Sequence, residues 1–410
     1  MGVLATGSAG AKVVGLLLTP VITRIYSPED FGIFAMFVTV LALITPFVTL
    51  RYAITIPLPK KTGLAVNLLV LCFGITILVT LITSFLFWAF GGWVFTFFSV
   101  PELTPYWWLI PIAVLGIGLY ETLSYWATRV KQFVILAKTK FTRSLAGNLV
   151  KIALGLFHLK PTGLLFGHIV SQAAGCASIF FRSKNVIIKN VRYVTQSRLL
   201  FLSRWYINFP KYQIGSRFLL AISAQAPLFF MITLFDAGAT GQLSIALVVL
   251  AAPMALIGDS VGKAYFAEIS EIGSKEPAKI ENITIKVTKR LFALSLLPFL
   301  ILLTASPFVF PIVFGQEWVQ AGWFTSVLSF SLLSQFVSSP VVNTLSVFRK
   351  EDYYLIINVI RIVVICATFG ASYLLSLSPL MTVFLYSLAM AMYRLFMYFL
   401  IMKIIREYAS

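Results

Sequence analysis

The residues able to do chemistry in this largely apolar chain are few, and their spacing repeats. Asn148 and Lys151 lie three positions apart inside an apolar run, and Asn358 and Arg361 repeat the arrangement 210 residues later. Positions three apart on a helix share a face, so each pair makes a polar patch at membrane depth. A cation turned to lipid there costs upward of about 2.5 kcal/mol. Two readings follow: both patches face a water-filled cavity, or each cation pairs with backbone carbonyls inside its own half. Arg24, Arg217 and Arg394 add cations in or beside apolar runs, each also readable as a side chain snorkelling to the interface. Arginine's planar fork takes phosphate oxygens two at a time. A cation-lined cavity therefore suits an anionic cargo, whereas a cavity for cationic drugs calls for the opposite balance.

Acids are scarcer. Glu121 is the clearest carboxylate inside a span, with Gly116, Gly118, Tyr120, Tyr125 and Trp126 nearby. It is readable as a sugar contact, as a proton or sodium site, or as the partner of an arginine. Desolvation favours the neutral or ion-paired form of such a carboxylate. Asp259, four residues before Lys263, is a second ion-coupling candidate or an interfacial partner of that lysine; Asp236 reads as a cap at an outer turn. No enzyme constellation is visible. His158 and His168 are isolated, no Gly-rich phosphate loop occurs, and no two carboxylates are spaced for acid/base work. Cys72, Cys176 and Cys366 lie singly, without the spacing of a metal or disulfide framework. The expectation is a non-enzyme with no cofactor beyond a coupling H+ or Na+.

The elements that must position these groups are membrane helices. Hydrophobic residues make up 59% of the 410 and charged ones 11%, with a mean hydropathy of +0.94, a composition that excludes a soluble globular class. The sequence predicts an all-α integral membrane protein with about twelve spans, near 4–25, 31–50, 64–90, 107–128, 141–158, 162–182, 214–235, 239–260, 291–314, 321–345, 355–375 and 379–402. The first apolar run carries Lys12, Pro20 and Arg24 and lacks a cleavage site, so it stays in the chain.

The net charge of +18 is a topology signal. With a cytoplasmic N-terminus, most of the 32 basic residues fall on one side, against Arg24 and Lys160 on the other. Both termini are thus expected in the cytoplasm. The outer turns carry Glu29, Asp30, Glu102, Asp236 and Glu317 with several tryptophans. Anionic membrane lipid is the expected partner of the basic loops, and nucleic acid is not.

The chain is expected to divide into an N-terminal six-helix lobe, 1–195, a cytoplasmic amphipathic linker, 196–213, and a C-terminal six-helix lobe, 214–410. The halves repeat: Ile22-Thr23 with Tyr26 and Gly32 match Ile232-Thr233 with Phe235 and Gly241, and Asn148-Leu149-Val150-Lys151 matches Asn358-Val359-Ile360-Arg361. Six spans per half is an even number, so the bundles are parallel repeats related by a pseudo-two-fold along the membrane normal. Prolines 20, 46, 111, 227, 253, 298, 307, 311 and 340 lie in or near spans and mark candidate hinges.

Between the first two spans runs Thr23-Arg24-Ile25-Tyr26-Ser27-Pro28-Glu29-Asp30-Phe31-Gly32-Ile33-Phe34. Ser27 is placed to cap a helix, Pro28 to start it, and Glu29 and Asp30 to meet its dipole. Together with Leu50-Arg51-Tyr52-Ala53-Ile54 and Leu58-Pro59-Lys60, this stretch resembles the opening hairpin of Wzx-type polysaccharide flippases, of the multidrug/oligosaccharidyl-lipid/polysaccharide exporter superfamily. Relative to that family the chain starts close to the first span, so a short N-terminal segment usual there is expected to be missing. The resemblance implies a flippase moving polyprenyl-diphosphate-linked oligosaccharide across a bacterial or archaeal cytoplasmic (inner) membrane for O-antigen, capsule or lipopolysaccharide-type assembly, by alternating access. A polysaccharide polymerase would be the neighbouring machinery. On this reading the diphosphate sits against Arg24, Lys151 and Arg361, with Arg217 and Arg394, beside Asn148 and Asn358. A cation-coupled drug antiporter of the same superfamily is the first rival; a membrane glycan polymerase is disfavoured by the short outer loops.

Overall fold

The computed structural model describes residues 2–254, 258–273, 276–348 and 350–408, leaving aside the side chains of 2–6, 8, 259, 260, 351, 352, 354 and 355. The chain forms two compact helical units, Met1–Gln225 and Ala226–Ser410. The first holds α1 (Gly2–Ile25), α2 (Pro28–Ile44), α3 (Thr62–Phe97), α4 (Leu109–Arg129), α5 (Phe133–Leu156), α6 (Thr162–Ala173), α7 (Cys176–Val191), α8 (Gln196–Trp205) and most of α9 (Asn208–Leu234). The second holds α10 (Ala237–Pro253), α11 (Asp259–Ile272), α12 (Pro277–Phe314), α13 (Val319–Ser338), α14 (Thr344–Val347), α15 (Glu351–Leu374) and α16 (Pro379–Glu407). Residues 196–213 thus belong to the first unit, with α8 packed on α3.

Over the described residues, each of the twelve expected spans overlaps a helix or a pair of helices. Among the described residues nine segments are long and apolar enough to cross a bilayer; α1, α5 and α10 account for the other three expected spans. α5 owes its polarity to Lys138, Lys140, Arg143 and Lys151. At 36 residues α3 is about 54 Å long, well beyond the roughly 30 Å of hydrocarbon, and its Leu81, Phe85, Trp88 and Phe90 are exposed as lipid-facing side chains are. The protein is a multi-pass membrane protein.

Local chemistry sets the helix ends. Ser27 and Asp30 form a reciprocal capping box: the Asp30 N–H donates to Ser27 Oγ at 3.3 Å and the Ser27 N–H to Asp30 Oδ2 at 3.0 Å. Asp236 caps α10 in the second unit, accepting from the Ala239 N–H at 2.7 Å. The expected span 162–182 is broken between α6 and α7 at Gly175, whose φ of 97° is a left-handed conformation that glycine adopts without penalty.

The second span also departs from a plain helix. α2 ends at Ile44, a short 3-10 turn follows at Thr45–Phe47, and Leu50 and Arg51 turn left-handed at φ 45° and 62° before a second 3-10 turn at Tyr52–Thr55. Residues 45–61 therefore form a strap. Its Tyr52, Ala53 and Ile56 are buried in one cluster with Ala65, Val66, Leu68, Leu69 and Cys72 of α3 and Trp126 of α4.

Candidate functional site

The strap delivers Arg51 to Glu121. Arg51, read from sequence as part of a cytoplasmic loop, donates from Nη1 to Glu121 Oε1 at 3.1 Å, and the two side chains keep only 13% and 17% of their surface. Thr49 donates from Oγ1 to the other carboxylate oxygen at 3.1 Å. Arg217, exposed on α9, also acts electrostatically on the carboxylate. Gly118, one turn before Glu121, lets α4 approach: a Cβ there would lie 2.6 Å from Val48 Cγ1 and would collide with Thr76. Two turns further on, the Arg129 guanidinium donates to the carbonyls of Ile56, Pro57, Pro59 and Lys60. α4 thus holds the strap at two points, one ionic and one through carbonyls. Of the three sequence readings of Glu121, the ion pair is the geometry present.

Lys151 sits on α5 facing α2 and α6. Its ammonium lies 4.5 Å from the centre of the Phe34 ring, a cation–π arrangement, and no carboxylate pairs with it among the described residues. Gly167 makes room for it, since a Cβ there would strike Lys151 Cγ and lie 2.7 Å from the Gly147 carbonyl. The Tyr26 hydroxyl, just after Arg24 at the end of α1, donates to the Lys151 carbonyl at 2.8 Å. Arg24 itself is exposed, and Asn148 is half-buried one turn before Lys151.

A polar chain runs on from there. His168 packs edge-on against Phe34 and Phe37, its Nε2 lies 3.0 Å from Gln172 Nε2, and Gln172 Oε1 accepts from Arg143 at 2.6 Å. The Arg143 guanidinium covers the Tyr120 ring at 3.7 Å. Like Lys151 it rests on an aromatic face, and it also donates to neutral oxygens.

In the second unit Arg394 reaches from α16 to α13, donating to the Ser331 carbonyl, to Ser331 Oγ at 2.6 Å and to Gln335 Oε1 at 2.9 Å. Arg361, on α15, lies close enough to act on Arg394 and on Tyr386 electrostatically. Its Nε is buried and makes no hydrogen bond among the described residues. Asn358 is half-buried one turn earlier. The Asp259 side chain lies outside the described residues. Among the described residues no carboxylate pairs with either guanidinium, an arrangement that favours an anion.

The structure therefore groups the predicted residues into three local sets: Glu121 with Arg217, Lys151 with Asn148, and Arg361 with Arg394 and Asn358. Sequence reading missed Arg51, Thr49, Arg143, His168, Gln172, Ser331 and Gln335 as site components. Arg51 carried a signal, since it stands inside the hairpin motif, and His168 and Gln172 stand four apart on one helix; Thr49, Arg143, Ser331 and Gln335 carried none, because their partners are distant in sequence.

Comparison with known proteins agrees with this architecture. A family model described as polysaccharide biosynthesis protein matches residues 21–322. No curated protein matches the sequence. The fold is similar to the lipid II flippase MurJ in an inward closed conformation, with a TM-score of 0.67, 15% identity, and coverage of 97% of this chain and 87% of that one. An inward-facing multidrug resistance MATE transporter of the MOP superfamily gives 0.65 at 13% identity, covering 100% and 96%. A mutant of the Vibrio cholerae MATE transporter VcmN gives 0.56 at 14%, also covering 100% and 96%. These likenesses show the fold, and the model spanning residues 21–322 shows the family: the chain belongs to the polysaccharide biosynthesis protein family of membrane proteins, with the fold of MOP-superfamily transporters.

Proposed function

We propose that the protein is a flippase that carries polyprenyl-diphosphate-linked oligosaccharide from the cytoplasmic to the outer leaflet of the cytoplasmic membrane, for O-antigen- or capsule-type polysaccharide assembly, by alternating access. One observation carries the cargo class. The carboxylate of Glu121 is matched to Arg51, whereas in the helices read as membrane spans Lys151 rests on a ring, Arg394 on a hydroxyl and an amide, and the buried Arg361 Nε has no hydrogen bond among the described residues. This charge excess suits a diphosphate, which takes bidentate arginine contacts readily. Both termini are placed in the cytoplasm by the positive-inside rule. Glu121, with Asp259 as the second candidate, would couple transport to H+ or Na+, and a polysaccharide polymerase would take the product.

The fold likeness to multidrug transporters favours one rival, a cation-coupled drug antiporter. The excess of cations over acids at membrane depth opposes it, because a cationic drug would be repelled. Deleting the gene and analysing lipid-linked intermediates tests the proposal. Complete, unpolymerised units are expected to accumulate on the inner leaflet; units that reach the outer leaflet normally, or altered drug tolerance alone, would overturn it.

A further inference from the structure

Between Glu121 and Asp236 the sequence has no acidic residue, while Lys189, Arg192, Arg198, Arg204 and Lys211 follow one another in its second half. α8 lies in the middle of that run. It begins five residues after one candidate span, Thr162–Val191, and ends three before the next, Asn208–Leu234. A helix so tethered at both ends lies at the membrane boundary.

Its two faces differ. The inner face is docked: Leu202 is buried, and the Ser203 carbonyl accepts from the Tyr52 hydroxyl of the strap at 2.8 Å. The outer face presents Ser197, Leu200, Phe201, Arg204 and Trp205, which wall an open trough of about 510 Å³. Phe201 and Trp205 stack at 5.5 Å and remain 54% and 67% exposed. Arg198 shares their stripe at helical spacing and spends one Nη1 donor on the Tyr193 carbonyl. Of the salt bridges among the described residues, none engages Arg198 or Arg204. An aromatic ledge flanked by two arginines, on a helix between two spans, has the pattern of a helix lying in the interface.

We propose that the outer face of α8 is a binding site for an anionic phospholipid. Arg204 and Arg198 take the headgroup phosphate, with four or more unused N–H donors each, and the acyl chains lie over Phe201 and Trp205. The site is separate from the transport residues, and the inference rests on the chain spanning a membrane and not on what it carries. Because Ser203 is hydrogen-bonded to the strap, lipid bound there also steadies the element that holds Arg51.

The test uses full-length protein in vesicles of phosphatidylcholine and phosphatidylglycerol at one fixed ratio, with bromine placed on the chains of one lipid or the other. Tryptophan quenching is expected to be greater when phosphatidylglycerol carries the bromine. The excess should vanish in Trp205→Phe, which identifies its origin, and should fall with added salt. Arg198→Gln/Arg204→Gln should weaken the preference by on the order of thirtyfold at low salt, whereas Arg198→Lys/Arg204→Lys should retain most of it, which separates lost charge from lost fold. Equal quenching by the two brominated lipids would overturn the proposal. So would absence of quenching at Trp205, which would mean that the face meets water or a protein partner.

Discussion

Removing the Glu121 carboxylate would leave the Arg51 guanidinium buried and uncompensated. The pair is 3.1 Å apart with 13% and 17% of side-chain surface remaining, and Arg51 Nε is buried without a hydrogen-bond partner among the described residues. A unit-charge pair at about 4 Å is worth about 4 kcal/mol in a partly polar protein environment, and breaking a buried pair from one side typically costs about 3–5 kcal/mol. The Thr49 bond to the same carboxylate adds about 1 kcal/mol to the loss in Glu121→Met. Arg51→Met keeps a left-handed non-glycine residue at φ 62°, so the backbone contribution cancels between wild type and variant. Each single variant is therefore expected to lose about 3 kcal/mol or more of unfolding free energy, measured in one lipid nanodisc composition. The double variant, apolar on both sides, should recover most of that, with a coupling energy of at least about 2 kcal/mol. Additive losses, or single losses below about 1 kcal/mol, would refute the buried-pair reasoning. The same double variant bears on ion coupling: a stable, inserted protein that no longer exports glycan assigns Glu121 a transport role, and normal export assigns the pair to structure alone.

The remaining predictions are local. Arg361→Ala is expected to abolish glycan export while leaving insertion and expression intact, as read from surface polysaccharide and from membrane-fraction blots; normal output from an inserted variant would count against the cation set. Gly167→Ala should destabilise the first unit by about 1–3 kcal/mol in a thermal unfolding assay, because the new methyl meets the Gly147 carbonyl at 2.7 Å as well as Lys151. Ser27→Ala removes the acceptor of the capping box and should cost about 1 kcal/mol, with Ser27→Asn close to wild type.

The fold was largely legible because hydropathy and cap chemistry are local. Ser27 with Pro28 and Asp30 announces α2, and Asp236 announces α10. What was not legible depended on chain reversal and distance. The left-handed Leu50 and Arg51 are not glycines, so nothing in residue type warned that the strap folds back against α3 and α4. Arg51 and Glu121 are 70 residues apart, and nothing local to Arg143, at the start of an expected span, showed that it reaches Gln172 and covers Tyr120. The matched pairs Asn148/Lys151 and Asn358/Arg361 were visible as a repeat, but the repeat could not tell that Lys151 rests on Phe34 whereas Arg361 stands beside Arg394.

Transport itself is measured most directly in proteoliposomes holding a fluorescent polyprenyl-diphosphate oligosaccharide in both leaflets, with a membrane-impermeant glycosidase added outside. Purified protein is predicted to let the enzyme consume nearly all of the lipid, where empty vesicles stop at about the outer half. Consumption that halts at the same fraction with and without the protein would contradict the account.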